Sequence, residues 1–508
     1  MSVTVLAPQQ RRSRQNGNMR LTRPSRSRSF GLLHIDEEAQ VLELETSYES
    51  RAGTHRQGSS SEACLSGQIL DRVLSEMVIV VPCKDEQLAV IRAVISAIPA
   101  ACFVILVSNC QREDGDDEYE QQVAMVKAFG GYDRQMLAIH QKDMAAAAAF
   151  RASGMSELID PADGTIRDGK GEGMLLGIAM AAAFCPERHY IGFVDADNFN
   201  AVSVNEYCKA FAAGFAMSPR PEQEDTMVRL RWSSKPKMRD GRIDFVPEGR
   251  CSKIVNSWLD RLLAPGGPQQ QHEEHGTRRG QPHTHHTKSD SPFVTTGNAG
   301  EHAMTMSLAL KLRMAAGYAI EPFHFVDLLE RAHLRSSSGG SSGNNNPPWL
   351  VVNDGANKTT TTRTPSTTST TTHPLNKPVR VLQIRTLSPH FHRPSDDEHI
   401  RQMWATGLGS IFHGLAPYHS MPRCDDDGGE ISQLRQRIHD FAATHGGIDD
   451  ATGELPSPTS TRPEDIDLKR FRAVLAPSLG ASGPVVVACR LGGLRERTIC
   501  RLDVAWRQ

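Results

Sequence analysis

The chain lacks a strong excess of charge of either sign. Its 508 residues include 57 Lys and Arg against 59 Asp and Glu, which gives a formal net charge of −2 at pH 7. Proteins that bind nucleic acids or anionic membrane surfaces through their overall electrostatic field need a marked positive excess. The composition therefore excludes a general nucleic-acid binder and a membrane-surface binder.

Long apolar runs and paired cysteines are also missing. No run approaches the roughly 18 apolar residues of a membrane-spanning helix, so we expect no membrane span. The ten cysteines include no CxxC pair and we find no secretory signal, which indicates reduced thiols and a cytoplasmic protein. Aromatic residues make up only 6% of the chain, a low share that predicts unpacked segments.

Three segments have compositions that cannot bury enough apolar surface to offset the entropy of the chain. Residues 1–29 form an Arg/Ser-rich tail without the apolar face of a transit peptide. Residues 265–291 carry five histidines, which fit a surface loop better than a metal site because no helix or strand would preorganise them. Residues 335–378 are rich in Ser, Gly, Asn and Thr. We predict that all three segments are disordered.

The rest of the chain alternates between short apolar runs and stretches with helical spacing. Continuous apolar strands interleaved with helices are typical of a mostly parallel sheet that has helices on both faces. The predicted class is therefore α/β. We predict strands at 77–82, 102–109, 135–143, 190–197, 227–232 and 379–387, and helices at 86–98, 117–130 and 171–184.

Polar side chains follow these strands, at the edge where open α/β sheets bind ligands. The run YIGFVDAD closes in two carboxylates, Asp195 and Asp197. Mg²⁺ and Mn²⁺ sites of this kind use one or two protein carboxylates and leave other positions for substrate phosphates. A DxD pair alone is weak evidence, but its place after an apolar strand favours a divalent metal. No GxGxxG follows a strand and GxxxxGK[ST] is absent, which argues against dinucleotide-binding and P-loop classes.

Nine motifs occur in one order: VPCKDE, LVSNC, HQKD, DGTIRDGKGEGM, YIGFVDADN, EGRCSK, TTGNAGEHAMT, GYAIEPF and SPHFHRP. Together they resemble the mannosyl-3-phosphoglycerate synthases, retaining glycosyltransferases of the GT-A type, over roughly residues 19–420. The longest motifs are much more specific than DxD. The resemblance implies transfer of mannose from GDP-mannose to the 2-hydroxyl of 3-phospho-D-glycerate with retention of configuration, in a site that holds Mg²⁺ or Mn²⁺.

The resemblance also implies donor-site residues. Lys170 in the GKGE element would contact the donor phosphates, and Asp195 would approach the donor ribose or sugar. Asp197 would hold the metal. Residues implied around the guanosine and ribose are Pro82, Lys84, Asp85, Glu86 and Asn109, with Gln141 and Lys142 on the side of the base.

Two further elements are implied for the acceptor and the metal. The related glucosyl-3-phosphoglycerate synthases share a GR-x-[ST] element that cradles the acceptor, which here implicates Gly249, Arg250 and Ser252. These enzymes also use a histidine late in the chain as a metal ligand. His390 and His392 are both candidates, and the sequence does not separate them.

An acceptor with a carboxylate and a phosphate needs fixed cations. Arginine suits bidentate recognition of oxyanions, and a helix that begins near Arg250 would add backbone donors. Arg231 is a candidate acceptor ligand, although a solvated edge strand explains Arg229 and Arg231 equally well. The basic residues after the DxD strand are Arg229, Arg231, Lys235, Lys237 and Arg250.

The segment TTGNAGEHAMT combines small residues with a candidate acceptor ligand. The small residues around Asn298 would let the backbone approach a sugar closely, while helix capping is the plainer explanation. We predict that a long helix follows and that His302 lies on it as a packed residue.

The resemblance divides the folded part of the chain. It implies a nucleotide-sugar-binding core at 30–264 and acceptor-side core helices at 292–334. Residues 379–423 would complete the core and carry the metal histidine. Residues 424–508 have no counterpart that we can name, so we expect an extension of unassigned role there.

The sequence offers no unambiguous nucleophile near the sugar. We therefore favour front-face attack, in which the leaving phosphate accepts the acceptor's proton while Lys170 and the metal stabilise the departing charge. The nearest alternative is a glucosyl-3-phosphoglycerate synthase, because one or two hydrogen bonds discriminate hexose epimers. A catalytically inactive relative that binds sugar phosphates is the alternative outside enzymes. A homodimer is compatible with each of these readings.

Overall fold

The structure is a computed structural model, and part of the predicted disorder lies outside the residues it describes. The 265–291 insertion and most of the 335–378 insertion are not among them, and neither is His392. The described residues are 17–45, 61–111, 118–130, 134–198, 200–218, 222–239, 241–263, 293–338, 375–391, 403, 406–411, 460–479 and 486–488.

Thirteen strands of the described chain form one sheet, and two strand pairs lie apart from it. The strands are β1 (Met19–Thr22), β2 (Ser27–Phe30), β3 (Leu33–Asp36), β4 (Ala39–Leu44), β5 (Glu62–Leu65), β6 (Met77–Cys83), β7 (Phe103–Ser108), β8 (Met136–His140), β9 (Tyr190–Phe193), β10 (Asp225–Arg231), β11 (Lys235–Arg239), β12 (Arg242–Val246), β13 (His302–Thr305), β14 (Met314–Ala315), β15 (Val379–Arg385), β16 (Ser460–Thr461) and β17 (Val486–Ala488).

Helices cover both faces of this sheet, and none in the described ranges is long and apolar enough to cross a membrane. The helices are α1 (Gly67–Ser75), α2 (Leu88–Ala97), α3 (Glu118–Gly130), α4 (Met144–Ala152), α5 (Lys170–Phe184), α6 (Ala201–Ala216), α7 (Arg250–Leu262), α8 (Met306–Ala309), α9 (Ile320–Ser338) and α10 (Leu468–Leu475).

The strand order of the large sheet is β17-β8-β7-β6-β9-β13-β10-β15-β4-β1-β5, with β3 beside β15 and β2 beside β3. The pairs β6/β7, β7/β8, β6/β9 and β10/β15 are parallel. Strand β13 runs antiparallel between β9 and β10, and the strands β1, β4 and β5 also pair antiparallel. The predicted α/β class is confirmed, and all six predicted strands and three predicted helices are present with shifted ends.

The centre of the sheet is apolar on both faces because both are covered by helices. Alternate residues of β6 point to opposite sides, with Val78 and Val80 in one core cluster and Ile79 and Val81 in the other. Helix α5 contributes to the first cluster and α6 to the second. This double burial explains the continuous apolar runs in the sequence.

Two predictions about secondary structure are wrong. Residues 302–305 form strand β13 rather than the start of a long helix, and His302 pairs with Phe193 and Arg229 on the neighbouring strands. A buried segment of four residues is compatible with a helix or a strand. Here it forms a strand because it pairs with β9 on one side and β10 on the other. The tail predicted as disordered over 1–29 contains β1 and most of β2, because alternation in MRLT buries Met19 and Leu21.

The segment predicted as an extension over 424–508 contributes to the core where it is described. Helix α10 packs on α4, and the buried ring of Phe471 lies 4.9 Å from the ring of Phe150. Strand β17 adds an antiparallel edge to β8. The boundary placed at residue 424 therefore does not separate this segment from the rest of the fold.

Replacing Phe471 by Ala should lower the free energy of unfolding by about 3 to 5 kcal/mol, because it removes a fully buried aromatic ring from the contact between α10 and α4. Urea unfolding measures the change. The control is Val474→Ala on the same helix, where the side chain is exposed and the expected change is within about 0.5 kcal/mol. Equal effects of the two substitutions would show that α10 is not docked as described.

Candidate active site

A cavity of about 700 Å³ opens at the carboxyl ends of β6, β7, β8 and β9. Parallel strands end at one edge, so the polar residues that follow them meet there. Asp85 and Lys142 are exceptions to the prediction: Asp85 is exposed outside the cavity wall, and Lys142 pairs with Asp163 at 3.6 Å. The turn that follows each strand directs neighbouring side chains differently. The predicted donor residues that line the cavity are Pro82, Lys84, Glu86, Asn109, Gln141, Lys170 and Asp195.

Side chains at three strand ends hold the loop that leads into α5. Lys84 Nζ lies 2.9 Å from Asp168 Oδ2, and the Asn109 amide donates a hydrogen bond to the same carboxylate. Gln141 Nε2 donates to the carbonyl of Arg167 at 2.7 Å. The loop therefore presents Asp168 to the cavity. Sequence reasoning missed this residue, although it lies within the motif DGTIRDGKGEGM.

Lys170, the first residue of α5, bridges two carboxylates. Its Nζ lies 2.9 Å from Asp195 Oδ1 and 2.8 Å from Glu321 Oε1. Burial opposes its charge, but the two carboxylates outweigh that effect and hold the pKa of Lys170 well above its usual value. Lys170 therefore stays a cation at any working pH. Glu321 is a second residue that sequence reasoning missed, and the motif GYAIEPF contains it.

Gly300 allows the close approach of this ion pair to the strand behind it. A Cβ at this position would lie 2.3 Å from Asp195 Oδ2 and 3.0 Å from Lys170 Nζ. Neither atom can move without breaking the bridge, so any larger residue would displace it. Gly300 of TTGNAGEHAMT thus makes room for an ion pair of the protein itself.

Two further carboxyl groups near the ion pair are buried, and burial disfavours their charged forms. Asp197 Oδ1 is buried without a hydrogen-bond partner, and burial together with Asp195 raises the pKa of Asp197 to about 7. Glu301 accepts a hydrogen bond from Trp232 Nε1 at 2.9 Å, and burial first, then Asp195, raises its pKa to about 8. A cation placed among these groups would favour their charged forms.

His390 lines the same cavity and is fixed by its surroundings. Its Nδ1 lies 3.1 Å from the hydroxyl of Tyr207, and its ring stacks on Trp232 with centroids 4.2 Å apart. Glu206 accepts hydrogen bonds from the backbone N–H groups of Leu387 (2.6 Å) and Ser388 (2.9 Å). These bonds hold the segment that precedes His390. Of the two predicted metal histidines, His390 therefore lies at the cavity, and His392 lies outside the described residues.

The residues present fit a divalent cation. The described wall carries six carboxylates against four lysines, and Asp197 contributes the buried oxygen without a partner. No three His, Cys, Asp or Glu side chains in the described ranges are arranged to hold a metal together. Magnesium-type sites commonly need only one or two protein ligands because substrate phosphates supply others. Asp197 and His390 would suffice for such a site.

The residues predicted to bind the acceptor surround the start of α7. Gly249, Ser252 and Asn298 line the cavity, as predicted, and α7 begins at Arg250, whose side chain lies outside the described part of the structure. Arg231 does not line this cavity; it pairs with Glu38 at 3.1 Å and lines a small neighbouring pocket together with Gly249, Ser252 and Asn298.

Arg229 has a structural role. Its guanidinium is buried and donates to the carbonyls of Thr296 at 3.0 Å and Glu321 at 3.1 Å. Among the described residues, the cations of the cavity wall are lysines, including Lys235 and Lys237 on β11.

Replacing Asp197 by Asn should stabilise the metal-free protein at pH 8 by about 1 to 3 kcal/mol. In the folded protein the pKa of Asp197 is about 7, above the usual value of an aspartate. The contribution of this carboxyl group to the free energy of unfolding is therefore lost as pH rises from about 4 through 7. At pH 5 the gain should be clearly smaller than at pH 8, because only part of this loss has occurred by pH 5, and it should vanish near pH 4. Urea unfolding in EDTA at both pH values measures it, with Glu157→Gln on the exposed surface as the control. Destabilisation by Asp197→Asn at pH 8 would contradict the described environment.

Solved structures with some similarity belong to glucosyl-3-phosphoglycerate synthase from Mycobacterium tuberculosis. The complex with Mn²⁺, UDP and glucosyl-3-phosphoglycerate has a TM-score of 0.38 and 14% identity, covering 73% of this chain and 88% of that one. The complex with Mn²⁺, UDP-glucose and glycerol 3-phosphate has a TM-score of 0.38 and 13% identity, covering 81% and 96%. These values are too low to bear on activity.

Similarity in sequence is much stronger. A mannosyl-3-phosphoglycerate synthase of Pyrococcus furiosus is 35% identical over 459 residues, covering 90% of this chain and 97% of that protein. One of Aeropyrum pernix is 26% identical over 462 residues, covering 91% and 98%. The profile of the mannosyl-3-phosphoglycerate synthase family matches residues 23–475, past the last motif and through α10. The chain belongs to the mannosyl-3-phosphoglycerate synthase family.

Proposed function

We propose that the protein transfers mannose from GDP-mannose to the 2-hydroxyl of 3-phospho-D-glycerate with retention of configuration. The observation that carries this proposal is the convergence of Asp195, Asp197, Lys170 and His390 with the start of α7 on one cavity. A donor with a pyrophosphate and an anionic acceptor need these two kinds of surface side by side. Membership in the family supports the choice of mannose as the sugar.

The donor fits the end of the cavity formed by the loops after β6 and β7. Pro82 and Asn109 would flank the nucleoside, with the Asp168–Lys84 pair closing this end. Lys170 contacts Asp195, the first DxD carboxylate, and the pyrophosphate of the donor would reach it there. Its position at the first residue of α5 adds the helix N-terminus to its own charge.

A divalent metal, Mg²⁺ or Mn²⁺, would be held by Asp197 and His390 and would act as a Lewis acid on the donor phosphates. Asp195 is a poor nucleophile for the sugar because its carboxylate oxygens lie 2.9 and 3.1 Å from Lys170 Nζ. Glu321 is occupied in the same way at 2.8 Å.

The transfer then proceeds on one face of the sugar. The bond from C1 to the phosphate oxygen breaks, and the acceptor's 2-oxygen forms its bond to C1 from the same side. The hydroxyl proton passes to a phosphate oxygen of the departing GDP. Lys170 stabilises the negative charge that develops there, and the fixed walls of the cavity supply the alignment.

Purified protein should convert 3-phosphoglycerate with GDP-mannose and should give at most traces of product with GDP-glucose or UDP-glucose. EDTA should stop the reaction, and added Mg²⁺ or Mn²⁺ should restore it. Mass spectrometry and anomeric NMR of the product measure the outcome. Preference for a glucose donor would replace the proposal by a glucosyl-3-phosphoglycerate synthase, and no product with any donor would indicate an inactive relative.

Asp197→Asn should lower kcat at least a hundredfold, because it weakens a metal ligand and removes its charge. The same variant is the one expected to be more stable at pH 8, so loss of activity cannot be attributed to unfolding. Near-normal kcat with titrated metal would exclude Asp197 as a ligand.

Arg250→Ala should raise the KM for 3-phosphoglycerate by about tenfold to a hundredfold while leaving the KM for GDP-mannose nearly unchanged. The reason is the loss of a charge-assisted contact to the acceptor at the start of α7. Steady-state kinetics with each substrate varied in turn measure both constants. A change confined to the donor KM would reverse the assignment of the two ends of the cavity.

A further inference from the structure

The lysines of the cavity wall differ in how their charge is balanced. Lys84 is paired with Asp168, and Lys170 with two carboxylates. Lys235 and Lys237 line the same cavity, and among the described residues neither has a carboxylate within 4.0 Å. A cation that faces a cavity without a protein counter-ion is suited to bind an anionic ligand.

These two lysines are arranged as a row. They lie two residues apart on β11, so their side chains leave the strand on the same side, and both reach the cavity. The hairpin of β11 and β12 then leads through Glu248 and Gly249 to the start of α7. Burial lowers the pKa of Lys235 to about 8, while the charges of Glu301 and Asp197 favour its cationic form.

Lys235 is also held in place. Its Nζ lies 3.7 Å from the ring centroid of Trp232, a cation–π contact. That indole is itself fixed by the hydrogen bond to Glu301 and by stacking on His390. The ammonium group is therefore oriented before any ligand arrives, next to the residues that would hold the metal.

We propose that Lys235 binds the carboxylate of the acceptor and Lys237 its phosphate, so that this pair selects a phosphorylated 2-hydroxy acid. This inference rests on the proposed function for the identity of the acceptor. In 3-phosphoglycerate the carboxylate is attached to the carbon that bears the reacting hydroxyl, and the phosphate is one carbon further away. The carboxylate would therefore lie nearer than the phosphate to the reacting centre, and a fixed cation there would favour its binding.

The order of the two lysines matches this requirement. Lys235, whose cationic form the charge of Asp197 favours, would bind the acceptor carboxylate beside the reacting centre. Lys237 lies further along the strand and would meet the phosphate together with the backbone N–H groups at the start of α7. The two lysines would thus bind two different groups of one small molecule.

The test uses two probes that each carry one of these groups. D-Glycerate has the carboxylate and hydroxyl without the phosphate, and glycerol 3-phosphate has the phosphate without the carboxylate. Lys235→Met removes the charge but keeps an unbranched side chain of similar length. It should weaken the binding of D-glycerate about tenfold to a hundredfold, with the binding of glycerol 3-phosphate changed less than about threefold. Lys237→Met should show the opposite pattern. Both variants should weaken 3-phosphoglycerate, as measured by isothermal titration calorimetry.

Two controls accompany the titrations. Lys127→Met removes an exposed lysine on α3 and should leave all three affinities unchanged. Lys235→Arg keeps the charge and should retain D-glycerate binding within about tenfold of wild type, which a purely packing role would not predict. Urea unfolding of each variant confirms that the proteins compared are folded.

Affinities that fall equally for both probes, or for neither, would overturn the division between the two lysines. If mannose transfer is observed and the crossed pattern is absent, the inference fails while the proposed function stands. If the crossed pattern appears but none of the sugar nucleotides yields product, the proposed function fails and the anion site remains.

Discussion

One ammonium group joins the parts of the molecule from which the site is built. Lys170 opens α5, Asp195 follows β9, and Glu321 lies in the first turn of α9, so a single ion-pair cluster ties two helix starts to the end of a central strand. Its side chain is only 16% exposed, so loss of either carboxylate would leave a buried charge less well compensated. The geometry of the cavity depends on this bridge.

Near this bridge, the fold buries carboxyl groups whose charged forms destabilise the folded state. Asp197 and Glu301 are buried near other carboxylates, and burial raises the pKa of each. Such groups are typical of sites in which stability is given up for binding or catalysis. The carboxylates of the cavity wall, and the two lysines beside them that have no described counter-ion, would suit a divalent cation and a small acid with two anionic groups.

Helix α6 connects two halves of the site that are far apart in the sequence. It begins just after the DxD motif, and its residues Ser203, Glu206 and Tyr207 hold the segment that ends in His390. The same helix covers one face of the sheet with a fully buried apolar side. One element therefore both packs against the sheet and positions the histidine at the cavity.

The central strands, the α/β class and the convergence of their polar ends followed from the sequence by itself, because apolar runs covered on both faces leave few alternatives and parallel strands end at one edge. Most predicted site residues are at the cavity for that reason, but Asp85, Lys142 and Arg231 are not. The direction of a side chain beyond the end of a strand depends on local turns and on partners such as Asp163 and Glu38. Strand β13, the docking of α10 and the place of His390 required tertiary structure. Each of these three features depends on contacts between residues that are distant in the chain, and such contacts cannot be deduced from a local sequence pattern.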